Sequence, residues 1–334
     1  MTTHATVDTS PLFEPLEVRS KLLRNRLVMP PMVQLRNITS PEGVEWYRER
    51  AAGGAGLVIV EATAVNRFGT ELTVGSLRPL VDAIHAGGAL AAIQLFPITF
   101  DFPRSEPPPA PADVSIDDIA RIVDEFHHAA SICWGAGFDG VEPHGAHGYL
   151  INQFFSPGQN TRTDLYGGPQ GNRERFALQI VQVLRPLRDD GLLVLYRHTP
   201  VGNGYHIEQS VAFMERLVRA GVDILDISPS SDQAPGDRAA PFTGLGVPVI
   251  AVNHMDEVER AVEARVEGRA DLIAIGRGLI ADPEWPNKVR DGRIDEVVHC
   301  ERCNEGCFGH LKKGIPVTCV EWPAPDGAVV PATA

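Results

Sequence analysis

The chain has 334 residues, 43% hydrophobic and 22% charged, which is enough apolar material for a large core. A formal net charge of −13 argues against a nucleic-acid backbone or an anionic membrane surface as partner. The start, MTTHATVDTSPLFEPLEV, lacks the basic segment and apolar run of a secretory signal, and no apolar run reaches the roughly 18 residues of a spanning helix. A cytoplasmic protein with reduced thiols is therefore expected.

In chain order, short apolar runs recur: NRLVMPP (25–31), GLVIVEATAV (56–65), ALAAIQLF (89–96), GVEPHG (140–145), LLVLYRH (192–198), DILDIS (223–228), PVIAVN (248–253) and DLIAIGR (271–277). Their apolar content is nearly continuous rather than alternating, as in parallel strands covered by helices. Amphipathic stretches lie between most of them. SIDDIARIVDEFHHAASICWGAG opens on Ser115 as an N-cap, carries acids in its first turn and is predicted to stop at Gly135. SVAFMERLVRAGVD and DEVERAVEARVEGRAD follow the same design, each closing at a glycine. Strand and helix alternating eight times predicts an α/β fold, a (β/α)8 TIM barrel over residues 11–295. A doubly wound sheet is the runner-up, but MPPMVQL offers prolines where a Gly-rich first turn is needed. Cys133 follows a helical pattern and reads as a small buried core residue. The tail, 324–334, is expected to be disordered.

Function in such a barrel sits where strands end. Gln94, His144, His147, Arg197 and Arg277 fall at or just after predicted strand ends, which favours a shared pocket over the ordinary polarity of loops. Two long loops, PITFDFPRSEPPPAPADV with its six prolines and SPSSDQAPGDRAAPFTG, lie on the same side, as surface connectors or as substrate lids. In GVEPHGAHGYL, His144, His147 and Tyr149 stand within six residues. Two neutral imidazoles can donate to one carbonyl oxygen, and a nearby phenol can deliver a proton. Read as a zinc site, the H-x-x-H pair lacks a third ligand at a comparable position. Four of the five cysteines, Cys300, Cys303, Cys307 and Cys319, are spaced C-x2-C-x3-C-x11-C. Disulfides, a structural zinc and an iron–sulfur cluster are the three readings. A reducing compartment weighs against the first, and zinc sites with four cysteines usually come as two C-x2-C pairs.

The run GVEPHGAHGYLINQFFSPGQNTRTDLYGGPQGNRERF resembles the old yellow enzyme family of FMN-dependent oxidoreductases, whose fourth strand ends in H-x-x-[HN]-G-Y. The resemblance covers roughly residues 11–323. LRNRLVMPPM looks like that family's first strand, WYRERAAGGAGLVIVEATAV its second and LIAIGRGLIADPEWPNKV its eighth. It implies that Pro31, Met32 and Val33 line the isoalloxazine and that Ala62 and Gln94 face the ring, with the Gln94 amide on its pyrimidine edge. It implies Arg197 at the N1–O2 locus, where a cation stabilises reduced flavin. Asn253, His254, Gly276 and Arg277 would hold the FMN phosphate. Tyr166, Asn172 and Arg173 read as loop and helix-start structure. The cysteine spacing is that of the branch resembling 2,4-dienoyl-CoA reductase and 2-enoate reductase, with trimethylamine dehydrogenase a close variant. That branch implies a [4Fe–4S] cluster in an extension over 296–323.

Three features depart from the pattern. No G-x-G-x-x-G follows a strand, so no fused dinucleotide module is expected, and electrons would come from NAD(P)H directly or from a separate electron-transfer protein. The family's QL-x-H-x-G-R is replaced by QLFPITF, so Pro97, Ile98, Thr99 and Phe100 make the pocket less polar. The loop after the sixth strand lacks the second catalytic histidine of dienoyl-CoA reductases, which favours a free enoate or enone over a CoA thioester. The resemblance implies an ene-reductase: hydride from flavin N5 to the β-carbon, the carbonyl held by His144 and His147, and the α-carbon protonated by Tyr149. The alternatives are an oxidative N-demethylase passing electrons out through the cluster, with Trp322 beside Cys319 as slight support, and a non-catalytic redox flavoprotein. A small-molecule substrate is expected; a homo-oligomer is left open.

Overall fold

A computed structural model describes residues 7–98, 109–229 and 238–322. The predicted tail, Thr99, Phe100 and the middles of both long loops lie outside these residues. Two short strands come first, β1 (Leu16–Val18) and β2 (Lys21–Leu23), paired as an antiparallel hairpin. Eight parallel strands follow: β3 (Leu27–Met29), β4 (Leu57–Ala64), β5 (Leu90–Phe96), β6 (Gly140–Gly145), β7 (Leu193–His198), β8 (Ile224–Ile227), β9 (Val249–Ala251) and β10 (Leu272–Ala274). They close into a barrel in chain order, with β10 pairing back onto β3. Each lies inside one of the eight apolar runs, so the predicted barrel is the observed one.

The near-continuous apolar runs have a two-sided explanation. Residues facing outward, such as Val58, Val60, Val141 and Val194, join the layer under the helices with Phe126, Ile180 and Leu217. Their neighbours along each strand face inward, and Val28, Leu57, Ile59, Ala92, Leu195 and Ile250 fill the barrel interior. Val18 and Leu23 of the hairpin pack into the same interior cluster, so the hairpin plugs the end of the barrel where the strands begin. The hairpin strands, LEV and KLL, mix charged with apolar residues and lie in no apolar run that would announce them.

The long helix Ile116–Ala136 begins as predicted, with the Ser115 hydroxyl accepting from the Asp118 amide at 3.0 Å. It runs past Gly135 and ends at Gly137, a correction with a plain cause. Gly137 takes the left-handed conformation, φ 100°, that closes a helix, while Gly135 stays helical with Val74 against it. Helix Ile207–Ala220 ends at Gly221, as predicted. Cys133 is fully buried, and burial pushes its thiol far up.

The C-terminal segment is tied over the mouth of the barrel. The Val317 amide donates to the Gln34 carbonyl at 3.0 Å, and Arg36 Nη1 donates to the Val317 carbonyl at 2.9 Å. Trp322 donates to the Ile280 carbonyl at 2.8 Å and packs tilted, 59° between ring planes, 6.0 Å from Trp46, which also carries the Arg36 and Arg50 guanidiniums over its ring. Trp322 is thus a structural anchor rather than part of an aromatic bowl.

Candidate active site

The site begins with the parity of the strands. Side chains two apart share a face, so Glu142 and His144 on β6, Arg197 on β7 and Asp226 on β8 all point inward above the apolar filling. Register then sets the neighbours: Gln94 lies opposite Glu142, His144 opposite Arg197, and Arg197 opposite Asp226. Gln94 Nε2 donates to Glu142 at 2.7 Å, and Arg197 Nη1 stands 3.4 Å from Asp226. Two buried carboxylates face one guanidinium. Burial, then for Glu142 the charge of Asp226, holds both above the usual carboxylate range. This polar layer was not foreseen, although Glu142 stands two residues before His144 and Asp226 lies inside DILDIS.

The β4 strand carries a register shift between Val60 and Thr63, and the resulting bulge places Ala62 on the cavity. Beside it, Glu61 accepts from the Gln34 amide at 2.8 Å and so ties down the Pro31–Val33 turn; burial pushes its carboxyl up to about 8.

His144 lies within β6 rather than after it, a small correction to the predicted placement. His147 follows in the left-handed region, φ 60°, which a non-glycine residue holds only under constraint; its amide donates to Thr199 Oγ1 at 2.8 Å. Tyr149 precedes helix Leu150–Phe155. The His144 and His147 rings are 5.2 Å apart and nearly perpendicular, and Tyr149 is 5.1 Å from His144. Phe96, from the altered QLFPITF run, packs edge-on 5.0 Å from Tyr149. Both imidazoles are held neutral. Burial is the first cause for each, followed for His144 by His147 and Arg197 and for His147 by Arg197; His147 is brought down to about 3.

These residues line a cavity of about 430 Å³ that also takes in Pro31, Met32, Val33, Ala62, Gln94, Arg197 and Arg277. A neighbouring cavity of about 330 Å³ shares Met32, His147, Arg197 and Arg277 with it and adds Asn253, His254 and Gly276. Asn253 and His254 are consecutive residues with positive φ, 94° and 56°, a backbone turn of the kind that can aim amides at an anion. A third, smaller hollow is lined by Cys300, Cys303, Cys307 and Cys319, again with Arg277. All seventeen predicted site residues therefore fall on three adjoining hollows. The C-terminal segment also contributes residues that were not foreseen: Phe308, Leu311, Lys312 and Val317 roof the first cavity.

The sequence profile of the NADH:flavin oxidoreductase / NADH oxidase family matches residues 11–220 and 242–296. The chain belongs to this family. It is a flavin-dependent oxidoreductase. It is similar to a NADH oxidase of Thermoanaerobacter brockii, 33% identical over 89% of this chain and 53% of that protein, so the chain spans about half that relative's length. It is also 33% identical to a NADPH dehydrogenase of Listeria innocua, over 84% of this chain and 95% of that one. Among solved structures, a 2-naphthoyl-CoA reductase superposes with a TM-score of 0.82 at 25% identity, covering 94% of this chain and 57% of the other.

The residues fit the family's flavin. Arg197 Nε is buried without a hydrogen-bond partner among the described residues, at the junction of the two large cavities. Gln94, its amide nitrogen tied to Glu142, keeps its carbonyl oxygen for a ligand N–H. Among the described residues no three ligating side chains come close enough to hold a metal ion, yet the four cysteines surround one hollow. No described helix is long and apolar enough to cross a membrane.

Proposed function

We propose that this oxidoreductase is an ene-reductase acting on a C=C bond conjugated to a carbonyl. The observation that carries the reading is the pair of neutral imidazoles set ring to ring beside a tyrosine, in an apolar cavity over an arginine. In this reading the chain binds FMN with the residues of the two large cavities; Pro31, Met32, Val33 and Ala62 lie along the ring, and Asn253, His254, Gly276 and Arg277 take the phosphate. The flavin supplies hydride chemistry when bound. His144 and His147 each donate an N–H to the substrate carbonyl oxygen. Neutral donors suit this work, because a further cation buried beside Arg197 is costly while a neutral imidazole N–H can still donate to the oxygen as charge develops on it. Tyr149 gives a proton to the α-carbon. Phe96 and the roof of Phe308 and Leu311 exclude water. The cysteines hold a [4Fe–4S] cluster, and electrons arrive from NAD(P)H or from a protein donor.

The direct test is an anaerobic assay against enones and enoates with NADH and NADPH. Turnover of none of them, with methylated amines bleaching the flavin instead, would replace this reading by amine oxidation.

Two narrower expectations follow from the same geometry. Since both histidines stay neutral between about pH 5 and 8, kcat/KM should show no limb near the ordinary histidine value. An ionisation there that disappears in His147→Asn would contradict the neutral-donor role. Lys312 stands exposed at the rim of the cavity. Its ammonium suits an acid group at the far end of a substrate, so Lys312→Ala should raise KM about threefold for an enone bearing a remote carboxylate and leave a neutral enone unaffected. Steady-state kinetics on the two substrates separates these outcomes.

A further inference from the structure

Ser228 ends the β8 run and is almost wholly buried, yet no catalytic role has fallen to it so far. Its hydroxyl oxygen lies 2.9 Å from Arg197 Nη2 and 2.9 Å from His147 Nε2. The direction of the first bond is set by chemistry. A guanidinium has donors and no acceptor, so Arg197 donates and Ser228 accepts. The serine proton then needs an acceptor of its own, because buried polar hydrogens are rarely left unmatched. The ring nitrogen of His147 stands at the right distance, and the Ser228 carbonyl beside it, which could only accept from a ring N–H, is already taken by the Thr199 hydroxyl. A neutral imidazole that accepts at Nε2 carries its proton on Nδ1.

His144 is held the other way. Its Nδ1 accepts from the Ala146 amide at 3.3 Å, which leaves the proton on Nε2. With that assignment the two rings are opposite tautomers, each with its bonded nitrogen turned to the protein. The His147 backbone is pinned by the same strand end: its amide donates to Thr199 Oγ1, and that hydroxyl donates to the Ser228 carbonyl at 3.2 Å.

We infer that Ser228 is a positioning residue: oriented by Arg197, it fixes His147 in the Nδ1–H tautomer, so that both histidines offer an N–H to the substrate carbonyl. The catalytic part of this rests on the ene-reductase reading; the tautomer does not. Without the serine hydroxyl the ring is free to hold its proton on Nε2 and turn a lone pair toward the carbonyl oxygen. Arg197, meanwhile, loses an acceptor and does not gain one.

The test uses the flavin-loaded full chain labelled with nitrogen-15. Long-range proton–nitrogen correlation reports the tautomer of each histidine, with His147 assigned from the signals lost in His147→Asn. Wild type and Ser228→Thr, which keeps the hydroxyl, should show His147 as Nδ1–H. Ser228→Ala should show Nε2–H or a mixture, with kcat for an enone falling about five- to tenfold, flavin retained, the melting temperature lowered by a few degrees at most, and activity restored in Ser228→Thr. An Nε2–H signal in the wild type, or an unaltered tautomer in Ser228→Ala, overturns the assignment. A tautomer that shifts while enone turnover holds supports the assignment and overturns the carbonyl-holding role of His147.

Discussion

Replacing Tyr149 by phenylalanine should lower enone turnover by about 10² to 10⁴, the range over which a positioned general acid contributes. The substitution is clean in this setting. The ring keeps its edge contacts with Phe96 at 5.0 Å and His144 at 5.1 Å, and the residue's amide still donates to the Ala146 carbonyl at 3.2 Å. Only the hydroxyl goes. The two half-reactions then separate the roles. Bleaching of bound flavin by NAD(P)H does not use the phenol and should proceed at the wild-type rate, while reoxidation by an enone under anaerobic conditions should become slow. Substrate binding should change little if, as proposed, the histidines hold the carbonyl. Rapid-mixing absorbance measures both steps. Equal rates of reoxidation in wild type and variant would remove Tyr149 from the proton path and point to solvent as the donor.

The barrel was readable because parallel strands covered on both faces leave unbroken apolar runs, and all eight runs contain the observed strands. What escaped was shorter or finer than that signal. The hairpin strands of β1 and β2, LEV and KLL, are broken by Glu17 and Lys21 and so form no apolar run. Gly135 and Gly137 both look like stops in sequence, and only backbone conformation separates them. The polar layer of Glu142 and Asp226 was legible in principle, since period two places Glu142 on the face of His144, but carboxylates inside a barrel run against composition-based expectation. The roof over the cavity escaped for a different reason. The 300–319 segment stands out in sequence by its sulfurs, and Phe308, Leu311 and Lys312 between them carry no motif that marks a cavity wall. Of the four residues expected to make the pocket less polar, Thr99 and Phe100 lie outside the described residues and Pro97 and Ile98 are not in the cavity lining, whereas Phe96 of the same run is.

Loss of any one of the four C-terminal thiols should empty the extension of iron while the flavin stays. The two metal readings place the sulfurs differently. Thiolates on one zinc ion sit about 2.3 Å from it and so converge closely on a single point. In a four-iron cluster each thiolate meets its own iron, so the sulfurs surround a volume instead. Here the four cysteines line a common hollow, and metal analysis of the purified protein decides between the two. The loop is shaped for wrapping. Arg302 and Asn304 flank Cys303 with positive φ, 54° and 62°, and Gly306 sits so close under Thr318 that a Cβ would lie 2.7 Å from its carbonyl oxygen. Cys303→Ser protein, purified without oxygen, should therefore fall from about four irons per chain to near none and lose its broad absorption near 400 nm. Stoichiometric zinc in the wild type would instead make the extension a structural clasp. Cys307 borders both the hollow and the flavin cavity, which makes the functional readout informative. If NAD(P)H loads the flavin directly, the iron-free variant still reduces enones with NAD(P)H. If electrons enter through the cluster, that variant loses turnover with a one-electron donor such as reduced viologen, and the wild type shows little with NAD(P)H. The two patterns are opposite, so one preparation assayed with two donors decides which way electrons reach the site.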